Sequence, residues 1–360
     1  MELPDNTNNI LLVSLGGVGD TVMFSPVITA VKNRYPTATV DLLVSNHLSR
    51  SCYIGTKGIH HVAVVNTNHK FFYLKIVAFI RYALSVRLFK HYDLAVYEAS
   101  LHPLWSIIVR VVGGVKINIL HPTVADGLAP NVAIARLFDE SIDKNNAFLT
   151  VTQEARDEAA IECKRHGINL TDPGLDLLAI YPSAQLAHRP RWSLQRMLEV
   201  VKRLRLEGFT GKVVVIGSVD DGLDWIAANS EDYIDANLAG RLSLLASAAI
   251  LEICRLMIGN DGGMMHVAGA VGCPLVAITP NAPSSFCPPG KHTVMVQSLI
   301  PCAPCYPSIP EDCPNFRCCD EITVDRVYAA CVKLLSETTF RTLSLYDFSR
   351  QSVQSRNENE

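Results

Sequence analysis

Residues 256–278 read LMIGNDGGMMHVAGAVGCPLVAI, and this stretch decides the fold. Residues 256–259 form a short apolar run that is typical of a buried strand, and residues 274–278 form another. Between them, glycines and an acid precede small apolar residues and one histidine, which predicts a turn followed by a buried helix. A strand, a turn, a helix and a second strand in this order are the repeating unit of a parallel α/β sheet.

The same alternation recurs along most of the chain. Strand-like runs lie at 9–15, 39–44, 61–65, 93–97 and 115–119, and a second series lies at 177–181, 212–217, 256–259 and 274–278. The segment NLTDPG at 169–174 separates the two series and is predicted to be a linker. A chain of 360 residues has room for two domains of this kind. We therefore expect two doubly wound α/β domains and a terminal helix near 324–336.

Each half carries a glycine-rich turn directly after a strand. In the first half the turn GGVGD spans 16–20, and Ser25-Pro26 is interpreted as the N-cap and first residue of the next helix. In open α/β sheets, ligands bind outside the carboxyl ends of the strands. We therefore expect the turns at 16–20 and 259–263 to face one cleft.

The composition is that of a globular protein. Apolar residues make up 49% of the chain and charged residues 19%, with a net charge of −3, which excludes a protein that coats nucleic acid. We find no secretory signal and no uninterrupted apolar run of the roughly 18 residues that a membrane span needs, so we expect a cytoplasmic protein. The basic, aromatic segment 70–90 suits either peripheral contact with the inner membrane face or a crossover helix whose basic side faces water.

The turn at 259–263 has the features of an anion site. Gly262 and Gly263 expose backbone N–H groups at a helix start, whose partial positive charge favours a diphosphate. Asp261 would repel a phosphate and is expected to cap the helix or to bind a hydroxyl. His266 is spaced to reach the cleft. The alternative is a structural turn with a core histidine, and spacing alone does not decide between the two.

The turn LGGVGD at 15–20 matches neither a dinucleotide fingerprint nor a P-loop, because the third glycine and a Gly-Lys-Ser/Thr sequence are missing. It leaves a carboxylate, Asp20, on a glycine turn at a strand end. Such a carboxylate can act as general base toward an acceptor hydroxyl. The alternative is that Asp20 only caps the turn.

The loop YPSAQLAHRPRW at 181–192 follows the first strand of the second domain. Its residues Arg189 and Arg191 are candidates to hold a diphosphate or the charge of a leaving group. The alternative is a solvated basic loop.

Five of the eleven cysteines lie within residues 301–319, in the pattern C-x2-C-x7-C-x4-C-C. Two close pairs on a loop suit a tetrahedral thiolate site for zinc or iron. The predicted ligands are Cys302, Cys305, Cys313 and Cys318, with Cys319 as the alternative fourth. Disulfides are disfavoured in the cytoplasm, and unligated reduced thiols remain an alternative.

Together these motifs resemble those of glycosyltransferase family 9, the lipopolysaccharide heptosyltransferases, almost from end to end. Residues 10–44 resemble the family's opening strand, its Leu-Gly-Asp turn and its Pro-containing helix, and YDLAVYEAS at 92–100 resembles its Tyr-Asp strand segment. DGGMMH at 261–266 is similar to the C-terminal hallmark Asp-(Ser/Thr)-Gly-x-x-His, and 301–319 is similar to the cysteine loop of many members.

The resemblance implies a GT-B fold. Its parts are an acceptor-binding Rossmann-like domain at 1–168, a nucleotide-sugar-binding one at 175–322, and a terminal helix at 323–345 that packs back toward the first. It also implies an inverting sugar transfer, typically of heptose from an ADP-sugar, without a catalytic divalent cation.

Matching the motifs residue by residue makes Asp20 the general base. The substrate-binding residues implied in the same way are Gly16, Gly17, Ser183, Arg189, Arg191, Asp261, Gly262, Gly263 and His266. Three positions depart from the pattern. The family's Pro-Gly-Ala turn reads Pro182-Ser183-Ala184 here. Gly262 replaces the usual Ser or Thr, so a hydroxyl contact is lost, and Pro190 replaces the basic residue two before Trp192.

The leading hypothesis is an inverting glycosyltransferase that moves a sugar from an ADP-sugar to an acceptor hydroxyl. Two alternatives remain: a nucleotide-sugar epimerase or hydrolase of the same fold, and a non-catalytic metal-binding scaffold with a degenerate cleft. The acceptor is a glycan, a lipid-linked glycan, a protein or a small molecule, because acceptor pockets are built from variable loops.

Overall fold

The structure is a computed structural model of the chain. It describes residues 3–4, 7–65, 77, 81, 92–97, 115–117, 129–183, 191–218, 233–305, 313 and 316–338. The contacts divide the chain into two compact units. Unit 1 comprises Met1–Thr152 and Ser284–Gly290, and unit 2 comprises Gln153–Pro283 and Lys291–Glu360.

Unit 1 is built on a five-stranded sheet. Its described elements are β1 (Asn9–Ser14), α1 (Val18–Arg34), β2 (Thr39–Val44), α2 (His47–Ser51), β3 (His61–Val64), β4 (Leu94–Tyr97), β5 (Val115–Ile117) and α3 (Pro130–Arg136). The strand order is β3-β2-β1-β4-β5, and the paired strands are parallel. The strand order reverses between β1 and β4, so the turn after β1 lies at a topological switch point, where ligands bind in such sheets.

Unit 2 is built on a six-stranded parallel sheet of order β11-β10-β9-β6-β7-β8. Its strands are β6 (Leu177–Tyr181), β7 (Lys212–Val215), β8 (Ala236–Asn237), β9 (Leu256–Asn260), β10 (Leu275–Ile278) and β11 (Thr293–Val296). Its described helices are α4 (Gln153–Arg165), α5 (Leu194–Leu206), α6 (Leu244–Ile253), α7 (Gly263–Ala270), α8 (Arg317–Glu321) and α9 (Val324–Glu337). The switch point of this sheet lies between β6 and β9.

The second core forms because apolar residues recur at helical spacing over a hydrophobic sheet. In α5 the buried positions include Met197, Leu198, Val201 and Leu204. Ser193 caps this helix, since its hydroxyl accepts the N–H of Arg196 at 3.3 Å. The predicted strands and the α/β class are confirmed, with boundaries that move by one or two residues. Strands β8 and β11 had no predicted counterpart.

The division into units differs from the expected boundary after residue 168. Helix α4 belongs to unit 2, because Arg156 pairs with Glu252 of α6 at 2.9 Å. Conversely, Ser284–Gly290 belongs to unit 1, where the N–H of Gly290 donates to Oδ1 of Asn145 at 3.1 Å.

The terminal helix is described within unit 2, and its expected packing toward the first domain stays a prediction. Its described part, α9, contacts α5 and the strands β9, β10 and β11 of unit 2. Val327, Cys331 and Leu334 are its buried contributions to that core. The buried face of α9 thus packs on the core of its own unit.

The first helix starts earlier than predicted. Helix α1 begins at Val18, and Pro26 lies inside it. Proline has no N–H to give to the carbonyl of Val22, four residues earlier. The hydroxyl of Ser25 donates to that carbonyl at 2.7 Å, and its oxygen accepts the N–H of Phe148 at 2.8 Å. Ser25 therefore replaces the hydrogen bond that Pro26 removes, and the helix continues.

We expect Ser25→Ala to lower the free energy of unfolding by about 1–3 kcal/mol, because the carbonyl of Val22 and the N–H of Phe148 lose their partner in a buried place. Urea denaturation followed by circular dichroism measures this. The matched control is Ser336→Ala, since the hydroxyl of Ser336 makes the same kind of bond, to the carbonyl of Lys333 at 2.7 Å, on an exposed helix face. Equal effects of the two substitutions would contradict the role of Ser25.

Candidate functional site

The carboxyl edge of the second sheet carries most of the predicted donor-binding residues. Strands β6 and β9 are neighbours, and Tyr181 stands opposite Gly259 in their register. The chain after β6 continues through Ser183, and the chain after β9 turns into α7. The predicted residues that follow these two strands are Ser183, Arg191, Asp261, Gly262, Gly263 and His266. All six lie in the segments that follow β6 and β9, the two strands between which the strand order of unit 2 reverses.

Helix α7 begins without a side-chain cap. Its N-cap is Gly262, which has no side chain, and Asp261 lies half-buried just before it. The N–H of Met265 donates to the carbonyl of Gly262 at 3.2 Å. The two N–H groups before it, on Gly263 and Met264, precede the first bonds of the helix ladder. This helix start is therefore suited to an anionic ligand.

Three buried polar atoms near this edge have no hydrogen-bond partner in the described part of the chain. They are Oγ of Ser183, Nδ1 of His266 and Oγ1 of Thr279. They follow the three adjacent strands β6, β9 and β10. Because buried hydroxyls and imidazoles are nearly always hydrogen-bonded in folded proteins, unpartnered atoms after three neighbouring strands indicate a place for a polar ligand or ordered water. The sequence analysis missed Thr279, for which the only signal is a polar residue directly after a strand.

His266 is uncharged at neutral pH. Burial lowers the pKa of its imidazole from 6.5 to about 4. Transfer of a cation into the interior is costly, so the neutral form persists. His266 can therefore donate or accept a hydrogen bond, but it is not a cation that could balance a diphosphate.

We expect acid to destabilise the protein partly through His266. Between the folded pKa of about 4 and the ordinary value of 6.5, the unfolded chain binds a proton that the folded chain does not. The contribution of His266 to stability therefore falls as pH decreases through this window, by up to about 3 kcal/mol. Unfolding free energies at pH 7.5 and 4.5 should differ less in His266→Gln than in the wild type. Half-exposed His166 supplies the control, His166→Gln, and a slope unchanged in His266→Gln would refute the assignment.

The side chain of Asn260 hydrogen-bonds to both ends of the basic loop, residues 182–192. Its Nδ2 donates to the carbonyl of Pro182 at 2.8 Å and to that of Trp192 at 3.0 Å. Its Oδ1 accepts the N–H of Trp192 at 3.0 Å. Trp192 is fully buried, and its indole N–H donates to the carbonyl of Ile322 at 2.8 Å. Arg191, which is exposed, follows directly from this anchored end. The sequence analysis assigned no role to Asn260, although a polar residue at the end of a buried strand was the available signal.

Asn260→Ala should lower the free energy of unfolding by about 2–4 kcal/mol, because two carbonyls and one N–H lose a buried partner. Urea denaturation measures the loss. Asn169→Ala is the control, since the exposed side chain of Asn169 only accepts bonds from Thr171, within its own turn. If both variants unfold at the wild-type urea concentration, the anchoring role is wrong.

Asp20 lies at the switch point of the first sheet, in the first turn of α1. Its Oδ2 accepts the N–H of Gly17 at 2.8 Å. The side chain therefore caps the turn, as the alternative interpretation of the sequence expected. A Cβ on Gly16 would lie 2.5 Å from the same oxygen, and the carboxylate can therefore fold back only over a glycine. Asp20 is exposed as well as anchored. The predicted residues Gly16 and Gly17 thus position the carboxylate, and its role as base stays a prediction.

Several expectations remain predictions. Arg189 lies outside the described residues, as does the segment 70–90 apart from Val77 and Arg81. In the described ranges, no helix is long and apolar enough to cross a membrane. The shared cleft for the two glycine turns also stays a prediction, and each turn is characterised within its own unit.

The predicted thiolate metal site at Cys302, Cys305, Cys313 and Cys318 stays a prediction, because the described residues do not assemble it. Within the described ranges, no three His, Cys, Asp or Glu side chains are placed to hold a metal ion. Helix α8 turns Cys318 and Cys319 into the interior, where they are 6% and 7% exposed, whereas Cys302 is exposed. A hydrogen bond with Cys319 lowers the pKa of Cys318 to about 7. The spacing predicts that these cysteines lie close together, but α8 buries Cys318 whereas Cys302 is exposed.

Comparisons with known proteins agree with the two-sheet α/β fold described above. A family model described as glycosyltransferase family 9 (heptosyltransferase) matches residues 132–314, just over half of the chain. The chain is 33% identical over 153 residues to lipopolysaccharide heptosyltransferase 2 of Salmonella typhimurium. This alignment covers 41% of the chain and 42% of that relative, so the match spans less than half of the relative's length.

Two solved structures share the architecture. One is a glycosyltransferase family 9 protein from Veillonella parvula, with a TM-score of 0.75 and 18% identity, over 94% of this chain and 99% of that one. The other is the ADP-heptose lipopolysaccharide heptosyltransferase II of E. coli, with a TM-score of 0.67 and 20% identity, over 91% of this chain and 99% of that one. At these identities the likeness shows the fold, and the predicted GT-B fold is confirmed.

Proposed function

This chain belongs to glycosyltransferase family 9, and from that premise we propose that it transfers heptose from an ADP-sugar to an acceptor hydroxyl. The observation that carries the proposal is the start of α7, an uncapped helix N-terminus at the switch point of unit 2 with buried, unpartnered polar atoms in the segments around it. These groups suit the diphosphate of a nucleotide sugar.

The nucleotide sugar is held by N–H and O–H groups whose positions are fixed by the fold. The N–H groups of Gly263 and Met264 receive a phosphate at the helix start, and the hydroxyl of Ser183 completes the contact. Arg191, together with Arg189, balances the charge that develops on the departing ADP. Because these donors and cations stabilise the leaving group, we propose that the reaction needs no divalent cation.

The acceptor half uses Asp20. The N–H of Gly17 holds one carboxylate oxygen at 2.8 Å and so orients the group. In the proposed step the acceptor oxygen attacks C1 of the donor sugar, its proton passes to Asp20, and the bond from C1 to the diphosphate breaks. Attack on the face opposite the leaving group inverts the configuration at C1. The names of the relatives, which are lipopolysaccharide heptosyltransferases, favour an acceptor of lipopolysaccharide core or related glycoconjugate synthesis. We place the reaction in the cytoplasm.

Asp20→Asn should reduce turnover by a factor of about 10²–10⁴, because the amide cannot take the proton. The Asn side chain still offers an oxygen to the N–H of Gly17, so the fold and the dissociation constant for ADP should stay near the wild-type values. Turnover is measured as ADP release from ADP-heptose with lipopolysaccharide core oligosaccharides as acceptors.

The control is Asp143→Asn, since Asp143 also caps a turn, by accepting the N–H of Asn145 at 2.7 Å. Wild-type turnover in Asp20→Asn would show that the base assignment is wrong. Release of ADP at the same rate without any acceptor would instead favour a hydrolase.

A further inference from the structure

The side chain of Tyr181 lies against two glycines of the turn that precedes α7. A Cβ on Gly259 would be 3.3 Å from Cβ and 3.5 Å from Cδ1 of Tyr181. A Cβ on Gly262 would be 2.8 Å from the hydroxyl oxygen and 3.0 Å from Cε1 of the same ring. Tyr181 therefore runs along β9 from Gly259 to the N-cap of α7, and its hydroxyl ends beside Gly262.

This contact explains why position 262 is glycine. Contacts below 3.0 Å are essentially never made by real Cβ atoms, so a serine or threonine would displace the ring. In the family pattern that position carries a Ser or Thr hydroxyl, and in this chain a Tyr hydroxyl from the neighbouring strand occupies the space. The two arrangements exclude each other. A Ser or Thr side chain at residue 262 needs the space that the Tyr181 hydroxyl fills, and the Tyr181 hydroxyl fits only because residue 262 is glycine.

We propose that the Tyr181 hydroxyl donates a hydrogen bond to the diphosphate of the donor at the start of α7, in place of the missing side-chain hydroxyl of residue 262. The inference rests on the proposed function, since it needs a nucleotide diphosphate at this helix start.

The surroundings of Tyr181 favour a ligand contact. Ser183, two residues later, is 3% exposed and its Oγ has no partner among the described residues. Tyr181 is 6% exposed, so its side chain is itself shielded from water. A hydrogen bond to a charged phosphate oxygen is stronger in such a sheltered place than in water. Tyr181 is thus a substrate-binding residue rather than a general acid or base.

The first experiment measures the dissociation constant of ADP by isothermal titration calorimetry. Tyr181→Phe keeps the ring and removes only the hydroxyl, so we expect binding about tenfold weaker, the size of one hydrogen bond to a charged group. The control is Tyr35→Phe, which removes a buried hydroxyl that donates to the carbonyl of Pro4 at 2.8 Å in unit 1. This control should bind ADP as the wild type does. Wild-type affinity in Tyr181→Phe would overturn the inference.

The second experiment moves the hydroxyl back to residue 262. Gly262→Ser alone should weaken ADP binding, because its Cβ collides with Tyr181. Tyr181→Ala alone should weaken binding through the lost hydroxyl. In the double variant Tyr181→Ala/Gly262→Ser, the serine has room, and ADP should bind about five- to tenfold more tightly than in Tyr181→Ala. Thermal unfolding of all four proteins separates loss of binding from loss of fold. Additive losses in the double variant would contradict the exchange.

The two experiments also separate this inference from the proposed function. If the wild type binds neither ADP nor UDP nor GDP, the proposed donor class is wrong and the inference falls with it. If the wild type binds ADP and Tyr181→Phe binds equally well, only the role of Tyr181 is wrong.

Discussion

The amide of Asn260 joins the two segments that leave the switch point of the second sheet. It satisfies two carbonyls and one N–H of the loop that follows β6, from its own place at the end of β9. A buried amide that makes three such bonds cannot be replaced without leaving backbone groups unsatisfied. Both ends of the basic loop are thus held by this one side chain.

The helix starts of α1 and α7 are used in opposite ways. In α1 the carboxylate of Asp20 accepts a backbone N–H at the positive end of the helix, so the protein supplies its own anion there. In α7 the N-cap is Gly262, which has no side chain to offer. The same electrostatic feature therefore holds a carboxylate in unit 1, and we propose that in unit 2 it binds an anionic ligand.

Much of the fold could be predicted from the sequence, because buried parallel strands are continuous apolar runs and helices repeat at 3.6 residues. Local patterns failed where a side-chain hydrogen bond or an unpredicted helix changed the outcome. Ser25-Pro26 is typical of a helix start, yet the Ser25 hydroxyl replaces the bond that Pro26 lacks, so the helix runs through. The cysteine spacing favoured a metal site, yet α8 buries Cys318 while Cys302 stays exposed. The candidate site was predicted in its turns but not in Asn260, Thr279 or Tyr181.

The sequence by itself determined that two parallel α/β sheets form, that a glycine turn follows a strand in each, and that an acid or a helix start stands at each turn. These features depend on neighbours along the chain, whose spacing is visible in the sequence. Only the tertiary structure decided that α4 and α9 pack on unit 2, that Asn260 ties down the loop before Trp192, and that Tyr181 fills the space above Gly262. Those outcomes depend on which strands become neighbours, and hydrogen bonds and steric contacts between residues some eighty positions apart follow from that pairing alone.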